Sequence, residues 1–122
     1  NSTNIMQFYA NNTERMQVNT GGVDVTGDFV ASGNVTAYSD QRLKDNIQTI
    51  DNALNKVEAM RGVTFTKDGE LSSGVIAQEM EQIAPELVMD GEFKSVAYGN
   101  LVGYLIEAVK ELSDKVKELE AK

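Results

Sequence analysis

A six-residue glycine repeat stops at position 39, and this stop divides the chain into two differently built parts. Glycine recurs at positions 21, 27 and 33, and each glycine is followed by apolar residues two and four places later. This alternation predicts half-buried strands, with a tight corner at each glycine. Such thin units bury little alone, so the repeat favours either a three-chain β-prism or an ordinary β-meander.

The residues before and after the repeat also predict two differently built parts. Two short apolar runs before it surround Asn11-Asn12-Thr13, which predicts two strands joined by an Asn-rich turn. Where the next repeat would begin, Ser39 replaces glycine, and Asp40 is a suitable N-cap for the segment that follows. The second part is richer in charge and predicts short helices and hairpins.

Turn and cap signals give the order of these elements. A helix is predicted over 49–60, capped by Thr49 or Asp51. Lys67-Asp68-Gly69 predicts a hairpin turn, and Pro85 ends a second helix that points Met80 and Ile83 inward. The remaining elements are a second hairpin over 87–97 and a last helix from about Asn100 to the end.

The last helix carries a heptad pattern with valine at every a position and leucine at every d position. In its first half, Leu101, Ile106 and Ala108 widen the apolar face, which favours packing on its own domain. From Glu111 to Lys122 only the narrow a/d stripe is apolar, which indicates a partner helix. Valine at a with leucine at d favours two strands, so the heptad alone does not predict a trimer. The stripe consists of Val102, Leu105, Val109, Leu112, Val116 and Leu119.

Composition excludes several kinds of chemistry. The 122 residues include no cysteine and no histidine, which removes disulfides, thiolate catalysis and most zinc sites. A net charge of -8 argues against a nucleic-acid or anionic-membrane partner, and no stretch is apolar enough to span a membrane. No acidic cluster has the spacing of a calcium loop, so we expect neither a metal nor a cofactor.

Ser39 and Lys44 form a candidate catalytic dyad at the seam between the two parts. A serine hydroxyl attacks a carbonyl only when a base takes its proton, and a lysine is such a base once burial has removed its charge. The nearest carbonyl is that of Tyr38, which makes the Tyr38–Ser39 bond the natural substrate. The tethered substrate supplies proximity, and backbone N–H groups or Arg42 could stabilise the oxyanion. Taken alone, a serine followed by a lysine five residues later is a weak pattern, and a turn serine beside a solvated lysine is its ordinary explanation.

Three ordered segments strengthen the dyad. The segment 39–47 resembles the opening of the intramolecular chaperone domain of phage tail spikes and fibres, the S74 peptidase family. The segment 74–88, with sequence Gly-Val-Ile-Ala-Gln-Glu-Met-Glu-Gln-Ile-Ala-Pro-Glu-Leu-Val, is similar to a second family motif. The segment 98–112 is similar to the closing helix of that family.

The resemblance implies an α+β architecture and a homotrimer. Residues 1–38 would be the end of a β-structured fibre shaft, and residues 39–122 the chaperone domain with a long C-terminal coiled-coil helix. The domain would align three chains through this helix and the shaft, and would then cut its own chain between Tyr38 and Ser39 with Ser39 and Lys44. Assembly would take place in the host cytoplasm, after which residues 1–38 stay in the virion fibre and residues 39–122 are released or loosely retained.

Alternatives remain open for the function and for the supporting residues. The chain could be a non-cleaving trimerisation cap with an idle dyad, a fibre tip that binds a receptor, or a relative of a self-releasing membrane-tethered transcription factor. Supporting site roles compete with ordinary structural ones: helix capping for Asp40, a surface charge or ion pair for Arg42, and helix-terminus hydrogen bonding for Gln78 and Glu79. Asn46 is a further possible supporting residue.

Overall fold

The computed structural model describes residues 4–122, so the first three residues of the predicted shaft segment lie outside the described residues. The chain forms two compact units, of which the first ends at Asp45 and the second spans Asn46–Lys122. The predicted mixture of small sheets and helices, with a long C-terminal helix, is confirmed. Across residues 4–122, the helices all lack the combination of length and apolar character that crossing a bilayer requires.

The first unit contains a three-stranded antiparallel sheet in the order β1-β2-β3. The predicted N-terminal hairpin is confirmed, because Asn11 and Asn12 join its first two strands with φ angles of 53° and 60°. Asparagine tolerates this left-handed region better than most residues, and a two-residue turn of this kind matches the twist of a hairpin. The strands are β1 (Met6–Ala10), β2 (Thr13–Asn19) and β3 (Gly22–Val25).

Only the first glycine-repeat unit contributes a strand. Val23 and Val25 lie in β3, whereas residues 26–40 form neither helix nor strand, so the strands expected around Phe29 and Val35 are absent from the single chain. Phe29 is 75% exposed and Val35 is 82% exposed. A strand needs a neighbour for its backbone groups and its apolar face, and one chain supplies neither to these two units.

The second unit is built from three helices and two hairpins. The hairpin turn at Asp68 and Gly69 is confirmed, with φ angles of 53° and 80°, and Pro85 follows the second helix as predicted. The second hairpin is shorter than expected, with two residues in each strand. The elements are α1 (Ala53–Ala59), β4 (Val63–Lys67), β5 (Glu70–Gly74), α2 (Ala77–Ile83), β6 (Val88–Met89), β7 (Ser95–Val96) and α3 (Leu101–Glu120).

The core of the second unit lies between α2, the turn after it and α3. Met80 and Leu87 are 1% and 2% exposed, and Tyr104 of α3 packs with them. The Tyr104 hydroxyl donates to the Glu86 carboxylate. Burial, together with this hydrogen bond, raises the pKa of Tyr104 to about 12. The core therefore joins the segment 74–88 to the closing helix.

Helix α1 is capped from outside its own sequence, so the capping prediction was wrong. The helix begins at Ala53, after Asn52, rather than at 49, and no local side chain bonds its first N–H groups. The Glu111 carboxylate of α3 accepts from the N–H groups of Ala53 and Leu54, at 2.8 and 3.2 Å. A carboxylate there also complements the positive end of the helix dipole. Asp51 instead lies 3.7 Å from the ammonium of Lys56.

Helix α3 presents two apolar faces. Leu101, Tyr104 and Ala108 face the core, whereas the whole a/d stripe is exposed, including its first half. Ile106, expected to widen the packed face, is exposed as well. At 3.6 residues per turn, the centre of the stripe lies about 80° around the helix from the core-facing residues. Packing within the chain therefore leaves the stripe free along its full length.

A close approach accounts for the glycine at position 74. The Tyr98 hydroxyl accepts a hydrogen bond from the Val75 N–H at 3.2 Å. A Cβ atom at Gly74 would lie 2.5 Å from the same hydroxyl oxygen, which is closer than van der Waals contact allows. This contact links the segments 74–88 and 98–112.

We expect Glu111→Ala to lower the free energy of unfolding by about 1 kcal/mol, because two N–H groups at the start of α1 lose their acceptor. Glu111→Gln keeps one acceptor oxygen and should cost less. Urea unfolding followed by circular dichroism measures the change. Glu118→Ala, on an exposed part of the same helix, is the matched control. Equal stabilities of Glu111→Ala and Glu118→Ala would contradict the capping role.

We expect Gly74→Ala to cost about 1 kcal/mol of stability, because the new methyl group displaces the Tyr98 hydroxyl. In a Tyr98→Phe background the hydroxyl is absent, so the same substitution should cost less. A double-mutant cycle by urea unfolding measures this difference. Additive costs would show that the contact does not constrain position 74.

Candidate functional site

The two residues of the predicted dyad lie in contact. The Lys44 ammonium donates to Ser39 Oγ with an N–O distance of 2.6 Å. Both residues belong to the unit that ends at Asp45. The spacing of five residues is therefore compatible with a direct serine–lysine hydrogen bond within one chain.

A short turn brings Lys44 back to Ser39. Residues Gln41–Leu43 form one turn of 3-10 helix, and Asp40 is its N-cap, as the sequence predicted. The Lys44 N–H donates to the carbonyl of Gln41 at 3.1 Å, which closes the turn. The residue types explain the turn, because aspartate favours N-cap positions by accepting from a backbone N–H two residues later.

Asp40 and Arg42 form a two-point ion pair across this turn. Asp40 Oδ1 accepts from Arg42 Nε at 3.0 Å, and Oδ2 accepts from Arg42 Nη2 at 2.9 Å. The side-chain hydrogen bond holds the pKa of Asp40 below its usual value and that of Arg42 above its usual value. Because Asp40 occupies one edge of the guanidinium, Arg42 is less suited to the oxyanion role considered for it.

The site is open to solvent in the single chain. Ser39 and Lys44 are exposed, and Tyr38 is 95% exposed. The Tyr38 ring lines a shallow depression of about 510 Å³ together with Asp40, Arg42 and Leu43. The expectation that this ring packs on the shaft is not met within one chain. This geometry supplies contact between the two side chains without the desolvation that general-base action by a lysine needs.

The other three candidate residues lie in the second unit. Asn46 adopts a left-handed φ of 54°, which is a turn role. Gln78 is exposed on α2. Glu79 accepts from Arg61 at 3.1 and 2.6 Å, and this hydrogen bonding lowers the pKa of Glu79. Glu79 therefore makes an ion pair with Arg61, which is neither of the two roles considered for it from the sequence.

Sequence reasoning missed three structural partners in the second unit: Arg61, Tyr98 and Glu111. No local signal identifies them, since each meets a residue at least 18 positions away.

Among residues 4–122, no group of three or more potential ligands is arranged to hold a metal ion.

Comparison with known proteins supports the resemblance. Residues 39–89 match the sequence model of the Peptidase S74 family, described as the chaperone of endosialidase. The match begins at Ser39 and includes the dyad and the second motif, whereas the segment 98–112 lies outside it.

Two phage proteins are similar to the entire chain. The long tail fiber protein Gp37 of Enterobacteria phage K3 is 34% identical over 135 residues, which cover 100% of this chain and 11% of that protein. Gp37 of Enterobacteria phage T2 is 33% identical over 135 residues, with 100% and 10% covered. The chain thus spans about a tenth of the length of these relatives. Residues 39–89 therefore form a Peptidase S74 segment, described as the chaperone of endosialidase, within a chain that is similar over its whole length to long tail fibre proteins.

Proposed function

We propose that residues 39–122 are an intramolecular chaperone of a phage tail fibre, which aligns three chains and then releases itself by cleaving the Tyr38–Ser39 bond. The observation that carries this proposal is the 2.6 Å contact between Lys44 Nζ and Ser39 Oγ. The family match and the similarity to long tail fibre proteins support the chaperone part. Residues 1–38 are then the end of the fibre shaft.

The proposed reaction uses the chain as its own substrate. Ser39 Oγ attacks the carbonyl carbon of Tyr38, and its proton passes to the neutral amine of Lys44. The carbon–nitrogen bond breaks, the nitrogen of Ser39 takes up a proton, and an ester joins Tyr38 to Ser39 Oγ. Water then hydrolyses the ester, which leaves a carboxylate on Tyr38 and a free hydroxyl on Ser39. No cofactor enters this scheme.

Assembly is the proposed trigger for cleavage. In the single chain Lys44 is exposed, so it lacks the burial that favours a neutral amine. Residues 26–40 carry exposed apolar side chains and lack neighbouring strands. Packing of three such segments would bury the apolar side chains and remove water from the adjacent dyad. Burial would favour the neutral amine and start the reaction.

The exposed stripe of α3 is the proposed trimer contact. Its six apolar residues repeat at heptad spacing along 20 helical residues. Three such helices would bring their chains together and raise the local concentration of the shaft segments, which one chain cannot fold. The family implies three strands, whereas the valine and leucine pattern favours two, so the oligomeric state is a direct test. This assembly would take place in the host cytoplasm, and residues 1–38 would stay with the fibre.

We expect the protein to be recovered as two fragments that separate between Tyr38 and Ser39, and Ser39→Ala to be recovered whole. Lys44→Ala should also stay whole, because the hydroxyl loses its base. Intact mass under denaturing conditions measures the outcome, and Ser32→Ala, at another exposed serine of the same unit, is the control. An uncleaved wild-type chain that still forms trimers would indicate a non-cleaving cap.

We expect Leu112→Asp to abolish the trimer and to slow cleavage at least about tenfold, because an aspartate in the stripe opposes helix association. Lys117→Asp places the same residue on the outward side of α3 and should leave both properties unchanged. Light scattering on Ser39→Ala backgrounds gives the oligomeric state, and the loss of precursor over time gives the rate. A monomeric variant that cleaved at the full rate would overturn assembly as the trigger.

A further inference from the structure

The turn between Ser39 and Lys44 depends on few hydrogen bonds. Two backbone bonds close it, from Leu43 to Asp40 at 3.0 Å and from Lys44 to Gln41 at 3.1 Å. All residues of the turn are exposed, so no core packing holds its shape. Side-chain hydrogen bonds are therefore the remaining local means of fixing the position of Lys44.

The Asp40 side chain makes such hydrogen bonds, and all of them are to Arg42. Asp40 Oδ1 accepts from the Arg42 backbone N–H at 2.8 Å in addition to Nε, while Oδ2 accepts from Nη2. The carboxylate is thus bonded to the backbone and to the guanidinium of the same residue. A planar two-point pair of this kind restricts both side chains more than a single contact does.

We propose that Asp40 and Arg42 are positioning residues for the cleavage: their pairing holds the turn that places Lys44 against Ser39, and it cancels the charge beside the lysine. This inference rests on the proposed cleavage reaction. The two residues set the shape of the turn and the charge near the dyad, and they do not touch the reacting carbonyl.

The charge argument follows from what Lys44 must do. It has to lose a proton before it can act as a base, and a neighbouring carboxylate opposes that loss while a neighbouring guanidinium favours it. With the two charges paired at 2.9 Å, their effects on the lysine largely cancel. The pKa of Asp40 is lowered and that of Arg42 is raised, so the pair stays ionised across the neutral and mildly alkaline range.

Few other titratable groups lie close to Lys44 along the chain. Tyr38 and Asp45 are the remaining ones between positions 38 and 46, and neither changes in the variants below. Within the described part of the chain, the hydrogen bond to Ser39 is the polar side-chain contact of the Lys44 ammonium. Removing one member of the pair therefore leaves a single unpaired charge near the base.

Removal of Arg42 and removal of Asp40 should then shift the pH dependence of cleavage in opposite directions. Arg42→Ala leaves the Asp40 carboxylate unpaired, so we expect half-maximal cleavage at a pH higher by about half a unit or more. Asp40→Asn keeps an N-cap acceptor but leaves Arg42 unpaired, and it should move the midpoint down. The double variant should recover the wild-type midpoint while its plateau rate stays several-fold lower.

The chain is synthesised in a cell-free system, pulse-labelled and denatured in urea. Dilution into buffers from pH 6 to 10 then gives the cleavage rate as a function of pH. The remaining precursor is measured on denaturing gels. Arg42→Lys separates charge from shape: its midpoint should stay near the wild-type value, and its plateau should fall because one ammonium cannot bridge both oxygens. Arg15→Ala and Asp28→Asn are charge-matched controls elsewhere in the first unit.

Opposite shifts, with recovery in the double variant, would support the proposal. Unchanged profiles, or a rate loss with both midpoints moving the same way, would overturn it while leaving the cleavage reaction intact. Light scattering on Ser39→Ala versions checks that every variant assembles alike. A wild-type chain that never cleaves would overturn both the proposed reaction and this inference.

Discussion

Helix α3 has two apolar faces, and a single chain can bury only one of them. Tyr104 on the first face completes the core around Met80 and Leu87, and Ala108 on the same face is also buried. Glu111, three residues further along, bonds the N-terminus of α1. The packing of the second unit is therefore organised on one side of this helix, and its heptad stripe stays available to a partner. Folding of the domain thus uses one surface of the helix, and the association of copies proposed above would use the other, as a helper of assembly requires.

Sequence reasoning succeeded where the determining interactions are local. The hairpin turns at Asn11-Asn12 and Asp68-Gly69 follow from residues that tolerate positive φ, and the end of α2 follows from Pro85. It failed where the partner is distant or absent. The start of α1 depends on a carboxylate almost 60 residues later, which no local pattern reveals. The missing strands after β3 have the correct alternation of residues, but one chain offers them no neighbour.

The candidate site divides in the same way. Ser39, Asp40, Arg42 and Lys44 lie within six residues, so a single turn was enough to predict their proximity from the sequence. Glu79 was only a possible supporting residue, and it pairs with Arg61, whose role depends on tertiary packing. The family motifs therefore indicate two different things. The motif that begins at Ser39 indicates local chemistry, whereas the motifs that contain Gly74 and Tyr98 indicate packing of the domain.

The local origin of the dyad has a consequence for its control. Because consecutive residues form the contact between Lys44 and Ser39, that contact needs no partner chain and cannot by itself signal correct assembly. A signal must come from something that a single chain lacks, and what it lacks here is burial: Tyr38, Ser39 and Lys44 are all exposed. If cleavage proceeds as proposed, the chemistry is prepared in every chain and is held back by water. Assembly then starts the reaction by excluding solvent rather than by bringing the reacting groups together.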